Sequence, residues 1–182
     1  MSLNHLTTGN DLSTIISNCT KCSVAINHGE NIVCHDQLPF LKIHKKYQFS
    51  QKQKALIVNS SNSQFEQNSN DSIGHWFVLL LSSNKTIYMC DGLGYIKTRT
   101  DVMDNIKKFC RINKHKFLDV KIRAQTSNSN NCGLIATFWI AKFTTMEPKQ
   151  FNQFLKVLQR NSIQTNEKIA LKCVQKHFHV NL

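Results

Sequence analysis

The chain has 182 residues, 41% of them hydrophobic, and carries 23 Lys and Arg against 11 Asp and Glu, a formal net charge of +12. That length suits one domain with a proper core, so residues 1–182 read as a single domain. No apolar stretch reaches the roughly 18–20 residues of a membrane span, the start Met1-Ser-Leu-Asn-His-Leu-Thr-Thr-Gly9 has no signal-peptide core, and 7 cysteines, an odd number, argue against a secreted disulfide framework.

In chain order, Asn10–Ile16 reads as a short capped helix. Residues 19–37 read as irregular and Cys-rich. Cys19-Thr-Lys-Cys22 with Cys34-His35 has some zinc-ligand character, but one CxxC plus a Cys-His neighbour pair is a weak signal, and adjacent residues do not easily ligate one ion; we expect no metal site. Leu38–Ile43 reads as an extended edge segment because of Pro39. Residues 55–59 form a short apolar strand, and residues 60–72 a polar loop just before His75. Phe77–Leu81 and Thr86–Cys90 are apolar runs separated by Ser82-Ser83-Asn84-Lys85, which predicts a hairpin. Asp101–Cys110 places Val102, Met103, Ile106, Phe109 and Cys110 at helical spacing, and Phe117–Ile122 alternates as a strand leading to Gln125. Residues 132–143 are apolar on nearly every side, which predicts the central buried helix. Pro148 opens a helix with Phe151, Phe154, Leu155 and Leu158 on one face, and Ile169, Leu171, Cys173, Val174 and Phe178 suggest a last one.

The chemistry gathers at three points of this plan. His75 begins the first hairpin strand and Asp91 follows the second, so an antiparallel pairing sets them side by side although they are sixteen residues apart. A carboxylate there holds an imidazole in one tautomer and stabilises its charged form. Cys132-Gly133 ends a polar loop and opens the buried helix, whose unpaired N–H groups favour thiolate over thiol. Gln125 stands seven residues before Cys132. Each residue also has an ordinary reading: a buried structural thiol, a strand-end histidine, an aspartate in a turn before Gly92, a polar loop glutamine. The combination favours a cysteine nucleophile with a His75 base.

The order His75, Asp91, Gln125, Cys132 resembles the adenovirus-type, adenain-like cysteine proteases, which also occur in polintons and virophages. The resemblance is carried by Gly74-His75-Trp76, Asp91-Gly92-Leu93-Gly94, Gln125 and Asn128-Ser129-Asn130-Asn131-Cys132-Gly133-Leu134, more weakly by Lys54–Ser60, and spans roughly residues 5–145. Asp91 stands where adenoviral enzymes usually carry Glu. The resemblance implies an α+β, adenain/Ulp-like fold, with the helix that carries the cysteine packed on a mixed or antiparallel sheet. It implies Cys132 as nucleophile, His75 as acid and base, Asp91 as its orienting partner and Gln125 as oxyanion donor. The activity implied is a viral endopeptidase that cuts capsid and other virion precursor proteins, working as a monomer in the virion and host-cell interior, away from membranes. SUMO- and ubiquitin-like isopeptidases share the same order and remain an alternative. A basic DNA-binding relative that has lost hydrolysis is another, against which the intact four residues argue.

The positive charge is uneven. Lys42, Lys45, Lys46, Lys52 and Lys54 lie together, and residues 97–123 carry a second excess that includes Lys107, Lys108, Arg111, Lys114 and Lys116. Such a surface is either simply well solvated or attracts polyanions. The chemistry needs no cofactor. The resemblance implies nonspecific double-stranded DNA as an activator, and the crowding of those five residues in one short segment makes them the candidate contacts.

Overall fold

The computed structural model describes residues 9–19, 22, 31–43, 54–63 and 74–180. A five-stranded mixed sheet runs in the order β1 (Ile32–Cys34), β2 (Lys54–Asn59), β3 (Trp76–Leu81), β4 (Thr86–Cys90), β5 (Lys116–Val120). The outer pairs, β1 with β2 and β4 with β5, are parallel; the inner pairs are antiparallel. The helices are α1 (Gly9–Ser17), α2 (Thr100–Ile112), α3 (Cys132–Thr145), α4 (Pro148–Arg160) and α5 (Ile163–Phe178). The architecture is α+β, with the helix that begins at Cys132 packed on a mixed sheet.

Alternation along the strands sorts their side chains to two faces. Ala55, Ile57, Trp76, Val78 and Leu80 face α3, together with Leu12 and Ile15 of α1 and Val174 and Phe178 of α5. Leu56, Val58, Phe77, Leu79 and Met89 face the other way, onto Val102, Ile106 and Phe109 of α2. β3 is buried at all its positions, as a strand covered on both faces must be. α3 is buried along nearly its whole length and sits between β3, α1 and α5. Its Phe138 and Trp139 are wholly buried and lie in contact with each other.

Two expectations are corrected. Residues 38–40 are not extended, because His35–Phe40 form a 3₁₀ helix that contains Pro39 and buries Leu38; Leu41 after it is extended, but 41–43 join no strand. Proline's fixed φ of about −65° suits that turn as well as an extended strand. Residues 19–37 are not irregular throughout, since β1 occupies Ile32–Cys34 and adds to the edge of β2. The last helix begins at Ile163, earlier than its apolar pattern suggests, where the Ser162 hydroxyl accepts the Thr165 N–H at 3.2 Å. Most of the polar loop expected over 60–72 lies outside the described residues, as do Lys45, Lys46 and Lys52.

Gly92 is where the loop after β4 meets α3. A Cβ there would sit 2.5 Å from Ile135 Cγ2 and 3.5 Å from Gln125 Cβ. Its carbonyl accepts the N–H groups of Ala124 at 2.8 Å and Gln125 at 3.0 Å. We expect Gly92→Ala to lower unfolding free energy by about 1–3 kcal/mol, the usual effect of an extra carbon in a packed site. Denaturant unfolding measures this; an unchanged midpoint would mean that Ile135 yields without strain.

Candidate active site

The catalytic candidates meet at one end of the sheet. His75 immediately precedes β3 and Asp91 immediately follows β4, and the register that sets Val78 opposite Cys90 brings the two ends together. His75 Nε2 lies 2.6 Å from Asp91 Oδ1. The backbone of His75 is fixed by the residue after β2: its N–H donates to Ser60 Oγ at 2.8 Å and its carbonyl accepts the Ser60 N–H at 2.9 Å. This close approach needs Gly74, where a Cβ would fall 2.0 Å from Asn59 Oδ1. Asp91 is held in turn by backbone donors, Leu93 N–H to Oδ1 at 3.0 Å and Ile96 N–H to Oδ2 at 2.7 Å. The Tyr95 ring stands edge-on to the imidazole, centroids 6.3 Å apart.

Cys132 is the first residue of α3. Its thiol is hydrogen-bonded to His75, and because Nε2 is taken by Asp91, the ring offers Nδ1. The N–H groups of Trp76 and Gly133 also point to the sulfur. Trp76 thus contributes through its backbone, while its side chain is core.

The electrostatics follow from this geometry. Burial disfavours charge on all three groups, but specific partners outweigh it. Burial lowers the His75 pKa, and the bonds to Asp91 and Cys132 lift it to about 9. Burial raises the Cys132 pKa, and His75 with the Trp76 and Gly133 N–H groups brings it below the ordinary thiol value. Asp91 is likewise held below the usual carboxylate range: burial opposes this, and the bond to His75 dominates in favour. The arrangement therefore stabilises a thiolate beside an imidazolium.

Gln125 is buried on the loop that leads to α3. One amide hydrogen on Nε2 goes to the Ser129 carbonyl at 2.8 Å, while Oε1 has no partner among the described residues. Nε2 carries a second hydrogen beyond that bond. The sequence reading missed Ser60, the Trp76 N–H and Glu167, whose carboxylate binds the loop between Gln125 and Cys132. Ser60 could have been suspected from its place one residue beyond a strand expected to pair beside His75; a backbone N–H and a lone acid on a Lys-rich helix leave no such sign.

The cysteine-histidine set with zinc character is not brought together. Cys22 lies in the core on the α3 side of the sheet, whereas His35 is hydrogen-bonded to Asn105 of α2 at 3.1 Å. Among the described residues, no group of three His, Cys, Asp or Glu side chains is placed to hold a metal ion. No described helix is long and apolar enough to cross a membrane. Lys107, Lys108, Arg111, Lys114 and Lys116 are all exposed. They lie on α2, on the turn that follows it and at the start of β5, where Lys116 N–H donates to the carbonyl of Lys85 in the turn that joins β3 to β4, at 2.8 Å. That turn is at the end of the sheet opposite His75.

No protein-family model matches the chain, and no curated protein matches it. Among solved structures it is similar to a de-sumoylating protease, with a TM-score of 0.48 and 16% identity, over 93% of this chain and 74% of that one. A likeness of that size carries no argument about activity or substrate.

The pKa shifts set a pH window. A folded-state His75 pKa of about 9, above the ordinary 6.5, stabilises the fold fully below pH 6.5, and that contribution is lost as pH rises through about 9. Hydrolysis that needs a proton on His75 should therefore fall with an alkaline limb near pH 9. Cys132 alkylation by iodoacetamide should already be fast at neutral pH, and in His75→Ala its midpoint should move up toward that of an ordinary thiol. A pH–rate series on both proteins checks this; coincident alkylation profiles would show that His75 does not set the thiolate.

Proposed function

We propose that this chain is a cysteine endopeptidase that cleaves capsid and other virion precursor proteins during particle maturation. The observation that carries the peptidase reading is the imidazole of His75, bonded to Asp91 on one side and to the thiol of Cys132 on the other, at the start of a buried helix. The resemblance of Gly74-His75-Trp76, Asp91-Gly92-Leu93-Gly94 and the Cys132 loop to adenain-like enzymes supports the viral substrate.

The steps follow from the geometry. The Cys132 thiolate attacks the scissile carbonyl carbon, forming a C–S bond and moving charge onto oxygen. The Cys132 N–H and the second Gln125 amide hydrogen receive that charge. His75 gives its Nδ1 proton to the leaving amine as the C–N bond breaks, which leaves a thioester. Neutral His75 then takes a proton from water, hydroxide attacks the thioester, and the thiolate departs beside an imidazolium once more. Asp91 keeps Nε2 protonated throughout and stabilises the charged ring.

We further infer that duplex DNA binds the exposed cluster Lys107, Lys108, Arg111, Lys114 and Lys116 and raises the rate by gathering enzyme and substrate on one polymer. The remoteness of that cluster from His75 supports this, because a bound polyanion there leaves the thiol accessible. About five phosphate contacts would give a log–log salt slope near −4 to −5, without sequence preference.

Cys132→Ala should abolish cleavage of the precursor proteins encoded beside this gene while leaving the fold intact. His75→Ala should lose nearly all activity, Asp91→Asn should keep a little, and Gln125→Ala should lose roughly 10²–10³-fold in turnover. Equal small losses in all of these would make the cluster structural. Assays with capsid precursors and with SUMO- or ubiquitin-like conjugates decide the substrate, and cleavage confined to the conjugates would replace the maturation role with an isopeptidase. A rate indifferent to added DNA and to nuclease treatment would remove DNA as an activator.

A further inference from the structure

Glu167 is a nearly buried carboxylate on α5, 9% exposed, and among the described residues no Lys or Arg pairs with it. Four donors satisfy it, all from the loop between Gln125 and Cys132. Oε2 accepts the Thr126 N–H at 3.2 Å and the Thr126 hydroxyl at 2.7 Å. Oε1 accepts the Ser129 hydroxyl at 2.5 Å and the Asn131 Nδ2–H at 3.2 Å. The preceding residue ties α5 to the chain just before Gln125 and to α4: Asn166 Nδ2 donates to the carbonyls of Arg123 at 3.1 Å and Leu158 at 2.9 Å.

Two consequences bear on the thiol. Ser129, fixed through its hydroxyl, presents the carbonyl that holds the Gln125 amide. Asn131 sits at the N-cap of α3 and makes no side-chain cap, because its amide is turned to Glu167. An asparagine there ordinarily accepts a first-turn N–H. With Asn131 withdrawn, the first turn keeps its N–H groups for the sulfur and for an oxyanion.

We propose that Glu167 is a positioning residue that holds the loop from Gln125 to Cys132 in its reactive geometry, setting the Gln125 amide through Ser129 and keeping Asn131 from capping α3. This deepens the peptidase reading and rests on it for its catalytic meaning. Burial works against a charged Glu167, but the donors of Ser129, Thr126 and Asn131 hold its pKa below the ordinary value, so the clamp is charged at neutral pH and weakens only as pH falls through that lowered pKa.

The test uses Glu167→Gln, which keeps the shape but turns an NH₂ toward a donor whichever way the amide faces, and Ser129→Ala, a milder second variant. Wild type, both single variants and the double variant are compared in the full chain. Glu167→Gln should lower kcat about 10–100-fold, as a misplaced oxyanion donor does, with KM little changed. It should weaken inhibition by a peptide aldehyde, whose adduct oxygen occupies the same site, by a similar factor. Iodoacetamide alkylation of Cys132 does not use the oxyanion donors, and His75 and the Trp76 N–H still hold the thiolate, so it should slow far less than kcat even where Asn131 takes up the Gly133 N–H. The double variant should be no worse than Glu167→Gln, because both act through one chain of contacts. Unchanged kcat overturns the proposal, and so does a fall in kcat matched by alkylation and by the unfolding midpoint in both variants. Amide hydrogen exchange separates this from the peptidase reading. If wild type cleaves nothing, that reading fails; faster exchange at Thr126 in Glu167→Gln, with α3 still protected, then upholds the clamp, and unchanged exchange overturns it.

Discussion

A helix that is apolar on nearly every side cannot lie on a surface, and the rest of this molecule is arranged around that fact. α3 is enclosed by β3 beneath it and by α1 and α5 around it. Enclosure fixes where its first residue falls, and that residue is Cys132. The thiol therefore arrives at the end of the sheet where β3 begins and β4 ends, beside His75 and Asp91. The loop that delivers it carries polar backbone into a buried place, and a buried loop must have its hydrogen bonds supplied. Gly92, Glu167 and Asn166 supply them.

Gathering Asp91, His75 and Cys132 in one buried place raises a problem of charge. With thiolate, imidazolium and carboxylate together, one negative charge is left over, and unpaired charge away from water is costly. Backbone donors answer it: Leu93 and Ile96 at the carboxylate, Trp76 and Gly133 at the sulfur. These donors come from a tight turn, a strand start and a helix start, which are the places where N–H groups lie outside the regular ladders. The same termini that end the secondary structure thus stabilise the ionised site.

Much of this was legible in the residues because two signals were local. The apolar runs on either side of Ser82–Lys85 fix a hairpin, and a hairpin fixes the meeting of His75 and Asp91. The apolar run after Cys132 marks a buried helix with a polar loop before it. What was hidden depends on distance along the chain. β1 has three residues and exists only by pairing with β2 across the segment between them. Pro39 fits an extended edge and a 3₁₀ turn equally well in isolation, and the buried Leu38 settles which. Glu167 looks like any solvated acid on a mostly polar helix until the loop from Thr126 to Asn131 is laid against it. Gln125 shows in its spacing to Cys132, but its tether to the Ser129 carbonyl does not.

Glu167 reaches its partner Asn131 from 36 residues further along the chain. A ribosome releases residues in order, so His75, Asp91 and Cys132 leave the exit tunnel before α5 does. During that interval the nascent chain holds every reacting group, while the loop from Thr126 to Asn131 still lacks its carboxylate. Docking of α5 is then the event that gives this loop its carboxylate, and on the peptidase reading proposed above the growing polypeptide meets a slower enzyme until the fold has closed around it.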